Sequence, residues 1–198
     1  GIVNARIADG ITGAFLGASD LGLLRLAWRF YDLGAQIVVT PISSVALSSF
    51  SRLREDLEAL RRAYLRMTQL LGLVAFPAFF GLGAVAHTFI QVIVGPKWAG
   101  AAPLLQMVAL IILTGGVNYF FAPTMIAVGR SDIMMRQSLV QLVMTSVFVL
   151  FGVQFGLRGV MAAHIAWSGV IATYNMIALR AHAGIAPRRI FAALAPPA

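Results

Sequence analysis

Four polar residues recur in an otherwise apolar stretch: Arg25, Arg29, Asp32 and Gln36, at offsets of 0, 4, 7 and 11. On an α-helix that spacing places them on a single stripe. Leu24, Ala27 and Val38 occupy the opposite face. Arg29 and Asp32 are close enough along the helix to pair. Upstream, Asn4, Arg6 and Asp9 form a second polar group. Arg6 and Asp9 share a face at i,i+3, whereas Asn4 and Arg6 do not. The chemistry open to these side chains is ion pairing and the lining of a polar cavity.

The surroundings make that chemistry informative. Apolar residues are 60% of the chain and charged residues 11%, and the mean hydropathy is +0.87. A soluble domain of 198 residues needs far more polar surface. The apolar residues come in long blocks, among them Leu70–Ile90, Ala101–Val128 and Ser138–Phe155. Each is long enough, or nearly so, to cross a hydrocarbon core of about 30 Å. Because the blocks recur along the chain, a secretory signal peptide does not explain them. The expected fold class is therefore all-α, a polytopic membrane helix bundle.

Six membrane elements are predicted: 1–16, 21–50, 67–94, 101–128, 137–155 and 159–179. The first starts abruptly and reads as the end of a longer helix. Pro41 interrupts the second, and Pro41 and Pro77 are natural kink sites. The bundle is expected over residues 1–182, with 183–198 a cytoplasmic tail or the lead-in to a further helix. The connection 51–66 reads as a helical extension of the third element, because Leu53, Leu57, Leu60 and Tyr64 fall on one face.

The net charge is +8, and its placement follows the membrane. Alternate connections fall on opposite sides. One side holds ten cations: Arg52, Arg54, Arg61, Arg62, Arg66, Arg130, Arg136, Arg180, Arg188 and Arg189. The other holds two, Lys97 and Arg158. The positive-inside rule puts 51–66, 129–136 and the tail in the cytoplasm. This accounts for the basic balance without a nucleic-acid partner.

Against that sidedness, the intramembrane charges stand out. Ionisable side chains at membrane depth face a bundle interior or an aqueous cavity and usually mark a pathway. Arg25 lies one turn into its helix, so snorkelling to the headgroups and a cavity position both remain open for it. Arg29 and Asp32, two to three turns in, point to a cavity. Arg6 has a plainer alternative, as the cytoplasmic end of its helix. Asn118, Tyr119 and Gln106 either line a cavity or hydrogen-bond between helices. His87 and His164 lack a partner at metal-ligand spacing and read as packing residues. There are no cysteines, hence no thiolate metal site, and no nucleophile elbow, zinc-protease or phosphate-loop motif. No enzyme, metal or cofactor is indicated.

Several segments carry a resemblance. NARIADGITGAFLGASDLG, Asn4–Gly22, has an N-x-R-x-x-D stretch followed by G-x-x-L-G-x-x-x-L-G. LGLLRLAWRFYDL and PISSVALSSFSRLREDLEALRRAY continue it. The most specific piece is FPAFFGLGAVAHTFIQVIVGPKWAGAAPLLQ, with Phe76-Pro77, Ala86, the Gly95–Trp98 turn and Ala101-Ala102-Pro103. AVGRSD at Ala127–Asp132 fits a short loop. The chain resembles the C-terminal half of a polysaccharide or lipopolysaccharide biosynthesis flippase of the multidrug/oligosaccharidyl-lipid/polysaccharide superfamily.

That resemblance implies one half of a two-bundle flippase fold, helices seven to twelve, partnered by an N-terminal six-helix half. It implies a bacterial inner-membrane transporter that flips undecaprenyl-diphosphate-linked oligosaccharides by alternating access, for O-antigen, exopolysaccharide or capsule export. Polysaccharide polymerase or assembly proteins are implied partners, and a proton or sodium ion the driving ion. In the superfamily the first two helices of each bundle line the cavity, which gives Arg6, Asp9, Arg25, Arg29, Asp32 and Gln36 that role. Arg25 and Arg29 would attract the diphosphate, and Asp32 would hold Arg29 or couple an ion. Beside this stand a lipid II flippase, a cation-coupled multidrug antiporter, a non-transporting scaffold subunit of a polysaccharide assembly complex, and an integral-membrane glycosyltransferase, against which the missing acidic catalytic motif counts.

Overall fold

The computed structural model describes residues 2–194, with the side chains of residues 2–5 and 116 outside that description. Asn4 and the end of the expected tail therefore lie outside the described residues. The described chain is helical with no strand. Helix α1 spans Ile2–Leu16 and α2 spans Ala18–Arg52. Helix α3 spans Leu57–Phe89 and widens into a π turn over Ile90–Val94. A 3-10 turn at Pro96–Ala101 leads to α4, Ala102–Ala109. A second 3-10 segment, Leu110–Thr114, separates α4 from α5, Gly115–Ala127. Helix α6 is Ser131–Gly152, α7 is Gly156–Ala183 and α8 is Pro187–Leu194.

Four stretches are long and apolar enough to cross a membrane: Ala18–Arg52, Leu57–Val94, Pro96–Ala127 and Ser131–Ala183. The last, 53 residues, contains two helices, α6 and α7, folded back on each other through the 3-10 turn Val153–Phe155. Large apolar side chains cover the outer surface, with Ile37, Met135 and Ile177 each more than 60% exposed. In water such a surface would aggregate, and in lipid it is at home. This is a multi-pass membrane protein.

Two expectations are corrected. Helix α2 runs unbroken through Pro41, where an interruption was expected. The break falls instead in the fourth crossing, at Leu110–Thr114, just before Gly115. The connection 51–66 is helical from Leu57 onward, as its periodicity predicts, and the true turn is Leu53–Asp56. Asp56 starts α3 there, its carboxylate accepting from Ala59 N at 2.9 Å and satisfying one of the free amides at the helix start.

The core sits where α2, α3, α4, α5 and α7 meet. Phe50, Tyr64 and Phe120 form an aromatic cluster in it, with ring centroids 6.2–6.4 Å apart. Helix α1 lies to one side, against α2 and α6.

Candidate functional site

The site begins with the hairpin of α1 and α2. Gly17 joins them with a φ of 87°, a conformation that favours glycine. Gly13 approaches Leu21, and Asp9 approaches Arg25, each pair equidistant from Gly17 along the chain. The Arg25 guanidinium places both Nε and Nη2 3.1 Å from Asp9 Oδ2. This corrects the two local pairings. Asp9 binds Arg25 across the hairpin, and no ion pair joins Asp9 to Arg6 or Asp32 to Arg29 among the described residues. The physical reason is that the hairpin brings α2 beside α1, and one charge there satisfies Asp9.

At 1.5 Å of rise per residue, Arg25, Arg29 and Asp32 lie about 10, 16 and 21 Å along α2 from its start. All three side chains are exposed on the face opposite Leu24, Ala27 and Tyr31. Together with Asp9 they form one wall of a cavity of about 550 Å³.

Neutral polar groups complete the cavity. Asn118 of α5, Gln141 and Thr145 of α6, and His164, Trp167 and Ser168 of α7 face it, with Trp28 of α2. The His164 ring stands edge-on to Trp28 with centroids 5.3 Å apart. Its Nδ1–H donates to the Val160 carbonyl at 2.9 Å, which leaves Nε2 as the acceptor nitrogen in the neutral ring. A polar ladder ties α5 to α7 behind the wall. Thr114 Oγ1 meets Ser168 Oγ at 2.5 Å, Asn118 Nδ2 donates to Thr114 Oγ1 at 3.1 Å, and Asn175 Nδ2 donates to Asn118 Oδ1 at 3.1 Å. Thr114 is also the last residue of the 3-10 break, so the ladder anchors the irregular backbone. Irregular backbone at membrane depth needs such protein partners.

Of the six residues singled out by sequence, Asp9, Arg25, Arg29 and Asp32 line this cavity. Arg6 and Gln36 are exposed and line no wall of it. Asn118 both faces the cavity and bonds between helices, Tyr119 bonds Tyr31 hydroxyl to hydroxyl at 2.9 Å, and Gln106 is exposed. His87 bonds Gln91 of its own helical run at 3.1 Å, whereas His164 belongs to the cavity. Trp28, Gln141, Thr145, Trp167 and Ser168 were not visible from sequence, because an uncharged residue in an apolar helix carries no signal of which neighbour it faces. A chain of this composition holds many such residues. Among the described residues no group of acidic, histidine or cysteine side chains could hold a metal ion.

Residues 2–103 match the family described as "Polysaccharide biosynthesis protein", a match that contains the α1–α2 hairpin. The teichuronic acid biosynthesis protein TuaB of Bacillus subtilis is 29% identical over 131 residues, 66% of this chain and 27% of that protein. The succinoglycan biosynthesis transport protein ExoT of Rhizobium meliloti is 30% identical over 162 residues, 77% of this chain and 32% of that protein. The lipopolysaccharide biosynthesis protein WzxC of Escherichia coli is 26% identical over 131 residues, 66% of this chain and 27% of that protein. The chain thus spans about a quarter to a third of the length of these relatives. No solved structure matches it. With its hairpin, the charged residues on it and the next long helix all inside the matched segment, the chain belongs to the polysaccharide biosynthesis protein family.

Proposed function

We propose that this chain supplies one wall of the substrate cavity of a bacterial inner-membrane flippase. Its cargo would be a polysaccharide repeat linked through a diphosphate to a polyprenyl lipid, moved by alternating access. The observation that carries the reading is the pair of arginines in the cavity wall, one neutralised and one not. Arg25 is held by Asp9, while Arg29 has no ion-pair partner among the described residues and faces the same cavity. A guanidinium in such a wall needs an anion or water, and its planar donors fit phosphate oxygens. Around it, Trp28 and Trp167 offer flat apolar faces, and Asn118, Gln141 and Thr145 offer hydrogen bonds of the kind sugars take. The names of the relatives, biosynthesis or transport proteins for three different polysaccharides, support this class of cargo. The cytoplasmic placement of 51–66, 129–136 and the C-terminal tail follows from their arginines. In this reading Asp32 tunes Arg29 from a distance, or takes a coupling proton, and does not clamp it.

The test is Arg29→Ala in the intact protein. Polysaccharide export should fall at least tenfold while the protein still inserts and accumulates normally. Normal export at normal protein level would remove Arg29 from the site.

A further inference from the structure

Helix α8 is folded back onto α3. Ile190 is fully buried, and Leu194 Cδ2 reaches Gly72, 3.0 Å from where a Cβ would stand. At the other end, Arg61 Nε holds the Ala183 carbonyl, and Gly184 abuts the Arg61 guanidinium. The segment from Gly184 to Leu194 therefore runs beside α3 from the level of Arg61 to that of Gly72, about 16 Å along the axis. Arg188 and Arg189 fall between those two points, near the level of Arg62 and Arg66. All four arginines are exposed, and none has an ion-pair partner among the described residues. Glu58, the i,i+4 neighbour open to Arg62, is bound by Arg61. Beyond them the surface turns apolar without a break. Arg62, Arg66, Leu70 and Leu73, at offsets of 0, 4, 8 and 11, share one face of α3, beside the face that meets α8. Leu70 is 50% exposed, Leu73 56%, and Phe191 of α8 59%.

We propose that this face of α3 and α8 is a binding site for an anionic phospholipid of the surrounding bilayer, which clips α8 onto α3. The site stands whatever the charged cavity carries. Its occupant follows from two features in register. Four guanidinium groups without carboxylates call for anionic oxygens, and their planar donors suit phosphate. The apolar stripe that begins one turn beyond Arg66 calls for an acyl chain. A soluble phosphate or an acidic peptide would satisfy the arginines and leave the stripe uncovered. A phospholipid carries both halves in the right order, headgroup at the bilayer edge and chain toward the middle. Any cation near a bilayer surface attracts anionic lipid, without a fixed geometry. What distinguishes this end of the bundle is the fold-back. Helix α8 sets a second pair of guanidinium groups at the level of the first, so one headgroup is held from two elements. Buried Ile190 and the bond from Arg61 to α7 position α8 before any lipid arrives.

The experiment counts lipids on the intact protein by native mass spectrometry in neutral detergent, titrated with phosphatidylglycerol or with phosphatidylcholine of the same chains. The first phosphatidylglycerol should bind at least fivefold more tightly than the first phosphatidylcholine. Arg62→Gln with Arg66→Gln, and separately Arg188→Gln with Arg189→Gln, should each reduce that preference at least threefold. Arg158→Gln, at an exposed arginine near the start of α7 and far from Arg61, should leave it unchanged. Equal binding of the two lipids overturns the site. An equal loss in Arg158→Gln also overturns it, because the preference would then be a general attraction of cations for anionic lipid. A loss confined to one of the two pairs overturns the shared site. Glycerol 3-phosphate in large excess should leave the bound lipid in place, and displacement would make the ligand a soluble phosphate instead. A second measurement needs no substitution. In nanodiscs of phosphatidylglycerol, amide hydrogen exchange over 190–194 should be at least threefold slower than in phosphatidylcholine, and equal exchange in the two overturns the clip.

Discussion

Asp9 and Arg25 are joined across the α1–α2 hairpin, Nη2 to Oδ2 at 3.1 Å, and each masks the other's charge from the cavity they both line. The pair is part-exposed, Arg25 at 55% and Asp9 at 25% of side-chain surface, so it contributes little to stability, about 0–1 kcal/mol. Its consequence is electrostatic. An anionic ligand competes with Asp9 for Arg25. Asp9→Asn should therefore leave the protein as stable as before and tighten pyrophosphate binding about 3–10-fold, read by equilibrium binding on the intact protein. Unchanged or weaker binding would show that Arg25 does not meet the ligand.

Arg29 should behave differently because no carboxylate among the described residues holds it. Loss of a charge-assisted hydrogen bond costs about 1.5–3 kcal/mol, which is roughly 10–100-fold in affinity. Arg29→Ala should weaken pyrophosphate binding within that range. If the contact is bidentate, Arg29→Lys should recover less than half of the loss in free energy despite keeping the charge. Full recovery by lysine would mean a point charge suffices.

How far the site was legible follows from these two residues. Arg25, Arg29, Asp32 and Asp9 declared themselves because a charge in an apolar helix is costly and needs a reason. Their partners did not. Pairing at i,i+3 or i,i+4 was the local expectation, whereas Asp9 found Arg25 only because Gly17 folds α1 back on α2. His164, Ser168 and Trp167 are ordinary residues in sequence and join the cavity only through the packing of α7 on α5 and α6. The fold shows the same division. Helix identity followed from periodicity, including Leu57 onward in the basic connection. The location of the break did not. Pro41 and Pro77 stay within continuous helices, while Leu110–Thr114, with no proline, becomes a 3-10 segment held by Thr114 and Ser168.

The α6–α7 pinch makes a steric prediction with an internal control. A Cβ on Gly152 would lie 2.6 Å from the Gly159 carbonyl oxygen and 2.9 Å from Ala163 Cβ. Backbone cannot yield as a side chain would. Gly152→Ala should destabilise the protein by about 1–3 kcal/mol. Gly169, within α7, has nothing within 4 Å of its would-be Cβ, so Gly169→Ala should be neutral or stabilising by about 0.5–1 kcal/mol. Thermal unfolding in one detergent compares the two, and a drop for both would point to a general intolerance of the hairpin.

At the arginine-rich end of the bundle, Arg61 of α3 donates Nε–H to the carbonyl of Ala183, the last residue of α7, at 2.7 Å. Gly184 follows in the left-handed conformation with φ 64°, and Ile185 N closes the helix end on Leu179 O at 3.2 Å. A Cβ at Gly184 would collide with the Arg61 guanidinium. Gly184→Ala therefore meets two costs, about 1–2 kcal/mol for the conformation and displacement of Arg61 from the helix end. Arg61→Ala removes the second cost. The double variant should consequently be less destabilised than the sum of the singles, by about 0.5–3 kcal/mol. Simple additivity would show that Arg61 swings aside freely and that the contact carries no energy.

Gln36 gives the test that separates a cavity-forming transporter from a scaffold subunit. It continues the stripe of Arg25, Arg29 and Asp32 and is exposed in the chain, but it lies outside the 550 Å³ cavity. The chain has no cysteine, so Gln36→Cys reports without background within it. If the stripe faces an aqueous path, a membrane-impermeant maleimide should label Cys at this position in the intact protein, and pyrophosphate bound near Arg29 should slow the labelling about threefold or more. If the stripe is packed against a partner, the thiol stays unlabelled until the membrane is dissolved. Cysteine in place of Ile177 on the apolar surface controls for reagent entering lipid, since an impermeant reagent should leave it unmodified in either case. Labelling at 177 equal to that at 36 would strip the result of meaning for the cavity, and labelling at 36 alone would place water along α2 at the depth where its charges require it.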